Sequence, residues 1–86
     1  MPYRVFLDPA AQRQRKSLPS GVRTRIDDAL RKLADDPRPH GCTRLAGSED
    51  WRVRVGDYRM IYAIDDQARE VVVGWIGPRK DAYRRN

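Results

Sequence analysis

The stretch WRVRVGDYRMIY, residues 51–62, decides the fold. Apolar and polar side chains alternate on both sides of Gly56 and Asp57. A two-residue turn with glycine in its first central position is typical of a β-hairpin. Counting outward from this turn predicts the register: Val55 pairs with Tyr58, Arg54 with Arg59, Val53 with Met60, and Arg52 with Ile61.

This register gives the hairpin one apolar and one basic face, because side chains alternate between the two faces of a sheet. Arg52, Arg54 and Arg59 share the basic face, and Arg54 lies directly across from Arg59. Like charges placed opposite each other destabilise a ladder, so the arrangement predicts an anion that binds there. The apolar face carries Trp51, Val53, Val55, Tyr58, Met60 and Tyr62.

The residues before the hairpin predict one strand and two helices. Asp8 is suited to cap the first helix, with Pro9 at its first position, and Ser20 is expected to cap the second. The second helix has an apolar stripe made of Val22, Ile26, Ala29, Leu30 and Leu33. The predicted elements are a strand at 3–8, a helix at 9–17 and a helix at 20–34.

Around the hairpin and after it, the pattern predicts strands, turns and a short helical tail. The continuously apolar run Val71–Ile76 is typical of a central strand covered on both faces, and Gly77 and Pro78 end it. The order β-α-α-β-β-β-β predicts an α+β fold, a single domain over residues 1–86. Its twisted, mainly antiparallel sheet packs against an N-terminal helical hairpin. The remaining elements are a loop at 37–41, a short strand at 43–46, polar turns at 47–49 and 65–70, and a helical turn at 80–85.

Composition points to a polyanionic partner. The sequence has 18 basic and 12 acidic residues, which gives a net charge of +6. Fifteen of the 18 basic residues are arginines, which suit bidentate contacts with phosphate. The single cysteine, Cys42, excludes an intrachain disulfide and fits a reducing cytoplasm. No apolar run approaches the ~20 residues that span a bilayer, so we expect no membrane partner.

Several familiar kinds of site are missing from the sequence. It contains no glycine-rich phosphate loop, no His/Cys metal spacing and no Ser-His-Asp set, so we expect neither a metal nor a cofactor. The only histidine, His40, lies in a proline-rich loop and is interpreted as solvated. The acidic residues fall mostly at helix ends and in turns.

What remains is a basic constellation with one tyrosine. Arg79 and Lys80 follow the central strand, and Tyr83 shares a side with Arg79 if the tail forms a helical turn. Together with the hairpin arginines, these groups suit a phosphodiester and the extra charge of its transition state. RNA supplies its own nucleophile, the 2′-OH, so orientation and charge stabilisation can cleave it. Composition alone does not separate such a nuclease from a passive phosphate-binding surface.

At these residues the chain resembles the RelE/ParE superfamily of type II toxin–antitoxin toxins, and is most similar to the RelE branch. The resemblance covers nearly the whole chain and is most specific in Gly-Asp-Tyr-Arg, residues 56–59, and Arg-Lys-Asp-Ala-Tyr-Arg, residues 79–84. It implies a microbial-RNase-like fold and a cytoplasmic endoribonuclease that cuts mRNA in the ribosomal A site without a metal. It also implies a cognate antitoxin partner, through which the complex binds operator DNA.

The resemblance also implies roles for individual residues. Arg59 matches the arginine that stabilises the transition-state phosphate, Arg79 the group at the leaving 5′-oxygen, and Tyr83 the tyrosine that orients the nucleotide. Arg52 and Arg54 stand where some members have lysines that activate the 2′-OH or bind phosphate. An arginine is a poor general base, so we assign these two to phosphate binding, with Lys80 as a further RNA contact.

Alternatives remain at the level of both function and residue. The same fold would suit a ParE-type inhibitor of DNA gyrase or a non-catalytic RNA-binding or antitoxin-binding module. In the alternative interpretation, Arg52 and Arg54 form a solvated face of the sheet and Arg59 forms an ion pair with Asp57 or Asp81. Tyr83 would then be a hydrophobic anchor for the C-terminal tail. The aromatic residues expected in the core rather than stacked on nucleotides are Trp51, Tyr58, Tyr62 and Trp75.

Overall fold

A computed structural model of the chain describes residues 2–79. Two helices and one five-stranded sheet make up the described part, and the sheet order is β1-β5-β4-β3-β2. Only β1 and β5 run parallel; the other neighbouring strands are antiparallel. The predicted α+β class and element order are confirmed. The elements are β1 (Arg4–Leu7), α1 (Pro9–Lys16), α2 (Ser20–Asp35), β2 (Thr43–Arg44), β3 (Trp51–Val55), β4 (Tyr58–Asp65) and β5 (Glu70–Pro78).

The β3–β4 hairpin has the predicted register at every pair. Val55 lies opposite Tyr58, and Arg54 lies opposite Arg59. Gly56 has φ +62°, a backbone conformation that side chains disfavour and that a two-residue hairpin turn requires at this position. The turn chemistry therefore fixes which residues face each side of the sheet.

The core lies between the helices and one face of the sheet, called here the helix-covered face. Ala11, Ile26 and Leu33 from the helices are fully buried against it. Arg15 of α1 donates two hydrogen bonds of 2.7 Å to Asp27 of α2, which joins the two helices and lowers the pKa of that carboxyl. The buried sheet residues on this side are Met60, Tyr62, Val71, Val73 and Ile76.

The prediction that β5 is covered on both faces is wrong at one position. Val72 is 41% exposed, because neither α1 nor α2 lies over its side of the sheet. A bulge at Gly74 then shifts the alternation, so that Trp75 and Ile76 are both buried, on opposite faces. The β1–β5 pairing ends at Leu7 and Val73, and beyond it a side chain of α1 bonds to the edge of β5. The Gln14 side chain accepts a 2.8 Å hydrogen bond from the Ile76 amide.

The helix and strand ends confirm one further prediction and change three others. Asp8 caps α1 as expected, accepting a 2.9 Å hydrogen bond from the Ala11 amide. Ser20 does not cap α2: Pro19 holds the extended capping position, so Ser20 already has helical backbone. The strand predicted at 43–46 is limited to Thr43–Arg44, and β5 continues through Gly77 to Pro78. The predicted helical turn at 80–85 lies outside the described residues.

Neither helix within residues 2–79 combines the length and apolar character needed to cross a membrane.

Candidate nucleic-acid interface

The opposite side of the sheet divides into a basic and an apolar part. It is called here the helix-free face because neither of the two helices within residues 2–79 lies over it. The basic part carries Arg52 and Arg54 of β3 and Arg59 of β4, as the hairpin register predicted. The apolar part lies toward β1 and includes Phe6, 45% exposed, beside Val72. The residues that join the two parts along β4 and β5 are Ile61, Ala63, Trp75 and Gly77.

Arg59 is the most deeply placed of the three arginines. It is 1% exposed, and its cross-strand neighbours are Arg54 on β3 and Gly77 on β5. Arg54 is exposed and Arg52 is half-buried. A buried guanidinium is held in one orientation and acts on a nearby charge through a lower effective dielectric than an exposed one. This placement suits a group that stabilises charge on a phosphate, with the two outer arginines as more accessible contacts.

Gly77 leaves the space beside Arg59 that the Trp75 ring occupies. A Cβ atom on Gly77 would lie only 2.7 Å from Trp75 Cζ2. Trp75 is 7% exposed and lies outside the main core cluster, since it faces the helix-free side. The prediction that Trp75 is buried is confirmed. Its position on the helix-free side was not predicted, and the Trp-x-Gly spacing on one strand face was the available signal.

Arg79 lies at the end of the sheet where the hairpin turns. Its amide donates a 2.8 Å hydrogen bond to the carbonyl oxygen of Asp57, and the residue is exposed. The end of β5 is thereby joined to the turn that precedes Arg59. Lys80 and Tyr83, the other tail residues predicted for the site, lie outside the described residues.

The basic part of the face keeps much of its positive charge. Between residues 2 and 79, the ion pairs engage Arg4, Arg15, Arg31 and Arg38, each with a carboxylate, and involve neither Arg52 nor Arg54. Arg52 and Arg54 are thus available to an anion. Within the same part of the chain, no group of three His, Cys, Asp or Glu side chains is arranged to hold a metal ion.

The other three aromatic residues predicted for the core lie in it or pack against it. Tyr62 is 1% exposed and donates a 2.8 Å hydrogen bond to the carbonyl oxygen of Pro37, and burial raises the pKa of its hydroxyl. Trp51 and Tyr58 pack against the same core, and the Arg38 guanidinium lies 5.2 Å from the centre of the Trp51 ring. His40 is exposed in its loop, as predicted.

Comparison with known proteins identifies the class of molecule to which this fold and face belong. Residues 5–83 match the family model described as the ParE toxin of the type II toxin–antitoxin system parDE. Toxin RelG of Mycobacterium tuberculosis is 34% identical over 89 residues, covering 99% of this chain and all of that protein. The chain therefore belongs to the ParE toxin family, and is a type II toxin of the RelE/ParE superfamily.

Solved structures agree with this assignment. The archaeal RelE–RelB complex of Pyrococcus horikoshii superposes with a TM-score of 0.82 at 27% identity, covering 92% of this chain and 97% of that one. The RelBE2 toxin–antitoxin complex of M. tuberculosis gives a TM-score of 0.84 at 26% identity, with 92% and 93% coverage. Both structures contain an antitoxin.

Proposed function

We propose that this toxin is a ribosome-dependent endoribonuclease that cuts mRNA in the A site without a metal ion. The observation that carries the proposal is the graded arginine set of the helix-free face, with Arg59 buried and Arg52 and Arg54 accessible. The similarity to RelE toxins, two of them solved with RelB, supports the same conclusion. A cytoplasmic location and a cognate antitoxin belong to the proposal.

The chemistry needs no group beyond RNA and the protein. The 2′-oxygen attacks the adjacent phosphorus, the P–O5′ bond breaks, the 2′-OH loses its proton, and the leaving 5′-oxygen gains one. Arg59 stabilises the charge that gathers on the phosphate, while Arg52 and Arg54 hold the flanking backbone. Arg79, Lys80 and Tyr83 are assigned to the leaving oxygen, the RNA backbone and the nucleotide base. The arginines do not act as bases at neutral pH.

Primer extension on a defined mRNA tests the proposal directly. Ribosomes stalled with an empty A site are compared with free mRNA, using wild type, Arg59→Ala, Arg79→Ala and the control Arg13→Ala, an exposed arginine on α1. We expect a cut inside the A-site codon only with ribosomes, unchanged for the control and reduced roughly 10²–10³-fold for Arg59→Ala. Folded Arg59→Ala and Arg79→Ala proteins that still cut would refute the site assignment.

A second candidate function follows from the name of the matching family. The family model describes ParE toxins, and the alternative is a ParE-type toxin that poisons DNA gyrase. A gyrase cleavage assay separates the two: trapped double-strand breaks with intact mRNA would favour the gyrase reading. Salt-dependent RNA binding with neither activity would instead favour a non-catalytic module.

A further inference from the structure

The apolar part of the helix-free face has a solvent-exposed centre. Within residues 2–79, Phe6 of β1 and Val72 of β5 are the large apolar side chains that stay exposed, and they are direct neighbours across the parallel β1–β5 pair. Ala63 of β4 lies opposite Val72 and is exposed as well. Single exposed apolar residues are common on protein surfaces, whereas adjoining ones that form a patch point to a binding site. We call these three residues the Phe6 platform.

The Phe6 platform and the basic part of the helix-free face form one continuous surface. From Arg59, the face passes Ile61 and Trp75 before it reaches Ala63 and Phe6. Phe6 lies four residues farther along the sheet than Arg59 and two strands away from it, which is a distance of roughly 17 Å. A stacked single strand of nucleic acid advances ~3.4 Å per nucleotide, so a strand held at Arg59 reaches Phe6 within about five nucleotides.

The charges beside the Phe6 platform limit how far such a strand extends. The next row of the sheet carries Arg4, Glu70 and Asp65. Arg4 is paired with Glu70, and its guanidinium carbon lies 5.9 Å from the centre of the Phe6 ring. Asp65 is exposed on β4, where its carboxylate repels a phosphate. The platform therefore suits the uncharged base of a nucleotide, and the two carboxylates mark the end of the surface that a polyanion can follow.

This combination selects single-stranded RNA as the occupant. Exposed aromatic side chains on an open sheet face stack on unpaired bases, and such stacking tolerates any base. The arginines at the other end of the same face bind the phosphates. A second copy of this chain would bring another +6 of net charge to that face, and a duplex keeps the flat surfaces of its bases inside the stack.

We propose that the Phe6 platform binds an unpaired base of the mRNA, stacked on the Phe6 ring a few nucleotides away from the phosphate at Arg59. The inference rests on the proposed function in that the mRNA lies on the basic part of the helix-free face. The stacked base takes no part in the bond changes. It lengthens the segment of RNA that the toxin holds beyond the cut site.

The test measures the affinity of the toxin for 2′-O-methyl RNA, which lacks the attacking hydroxyl and stays uncut. A trinucleotide spans only the arginines, whereas a strand of about ten nucleotides also spans the platform. Fluorescence anisotropy compares wild type with Phe6→Leu, which removes the ring but keeps apolar bulk, and Phe6→Tyr, which keeps the ring. We expect Phe6→Leu to lose about fivefold or more in affinity for the longer strand and less than about twofold for the trinucleotide, and Phe6→Tyr to match wild type.

Two charge changes give a matched pair of variants. Ala63→Glu places a carboxylate on the Phe6 platform, and Gln67→Glu places one in the exposed turn between β4 and β5. Each changes the net charge by the same amount. We therefore expect Ala63→Glu to weaken binding of the longer strand clearly more than Gln67→Glu does, because only the first carboxylate meets the RNA.

The outcomes separate this proposal from the proposed function. Equal affinities of wild type and folded Phe6→Leu for the longer strand, or no binding of that strand by wild type, would overturn the platform. Phe6 and Ala63 variants that bind the strand normally but lose affinity for the antitoxin would also overturn it, and would assign the patch to a protein partner. The expected binding pattern without mRNA cleavage in primer extension would refute the nuclease and leave the platform standing.

Discussion

The two faces of the sheet are built from alternating residues of the same strands, yet they bury side chains of different chemistry. On the helix-covered face, Met60 and Tyr62 are buried among helix side chains. On the helix-free face, the intervening Arg59 is buried just as fully, between Arg54 on β3 and Gly77 on β5. Burial alone therefore does not mark the core of this protein; the chemistry of what is buried distinguishes the stabilising face from the proposed RNA-binding face.

The largest expected difference between the faces is in stability. Ile26→Ala removes a fully buried side chain from the core and should lower the free energy of unfolding by about 2–5 kcal/mol. Val72→Ala, on the helix-free face where the side chain is 41% exposed, should cost less than ~1 kcal/mol. Urea unfolding followed by circular dichroism measures both. Similar losses would mean that the helix-free face is covered as well.

Much of this two-faced arrangement could be predicted from one turn. Gly56 and Asp57 set the hairpin register, and the register alone assigns Arg52, Arg54 and Arg59 to a common face. A positive-φ glycine and strict alternation are local features, which is why sequence reasoning reached them.

The depth of Arg59 could not be predicted, because it depends on distant contacts. β4 lies between β3 and β5, and the register opposite Gly77 requires the bulge at Gly74. The pairing of β1 with β5 joins segments more than 60 residues apart. No periodic pattern in the sequence encodes these contacts.

The Trp75 ring packs against Gly77, which lies opposite Arg59, so a change at Gly77 tests whether the ring helps to position Arg59. Gly77→Ala places a Cβ atom 2.7 Å from the ring, so the ring or the strand must move, at a cost of about 1–3 kcal/mol. Because Gly77 lies opposite Arg59, mRNA cleavage by the fraction that remains folded should also fall. Thermal unfolding and primer extension on the same samples measure the two effects.

Gly74→Ala on the same strand is the matched control for this change. The nearest atom to its added Cβ is Asp8 Oδ2 at 3.5 Å, an ordinary contact. We expect a smaller loss of stability and no specific loss of cleavage. Normal cleavage by folded Gly77→Ala protein would show that Trp75 does not help to position Arg59.

A smaller effect is expected for a single hydroxyl on the helix-covered face. Tyr62→Phe removes the 2.8 Å hydrogen bond to the buried residue Pro37, which fixes the 37–41 loop to the sheet. The unfolding free energy should fall by about 1–2 kcal/mol, because the Pro37 carbonyl loses its partner. Tyr58→Phe, half-buried on the same strand and face, should change it by less than ~0.5 kcal/mol. Equal effects in urea unfolding would contradict the role given to this hydrogen bond.

The smallest effect concerns an exposed cluster that joins the same loop to the β4–β5 turn. Arg38 donates hydrogen bonds of 3.2 and 2.9 Å to Asp66, and Tyr3 donates one of 2.6 Å. Led by the Arg38 hydrogen bonds, these contacts lower the pKa of Asp66 to about 2. Because the pKa is lower in the folded state, the stabilisation is present above the unfolded value near 4 and is lost as pH falls toward 2.

Asp66→Asn should therefore flatten the decline in unfolding free energy between about pH 4 and 2, whereas Glu49→Gln, in an exposed turn, should leave that decline unchanged. Thermal unfolding at closely spaced pH values measures the slopes, and parallel curves for Asp66→Asn and wild type would show that the cluster does not stabilise the fold.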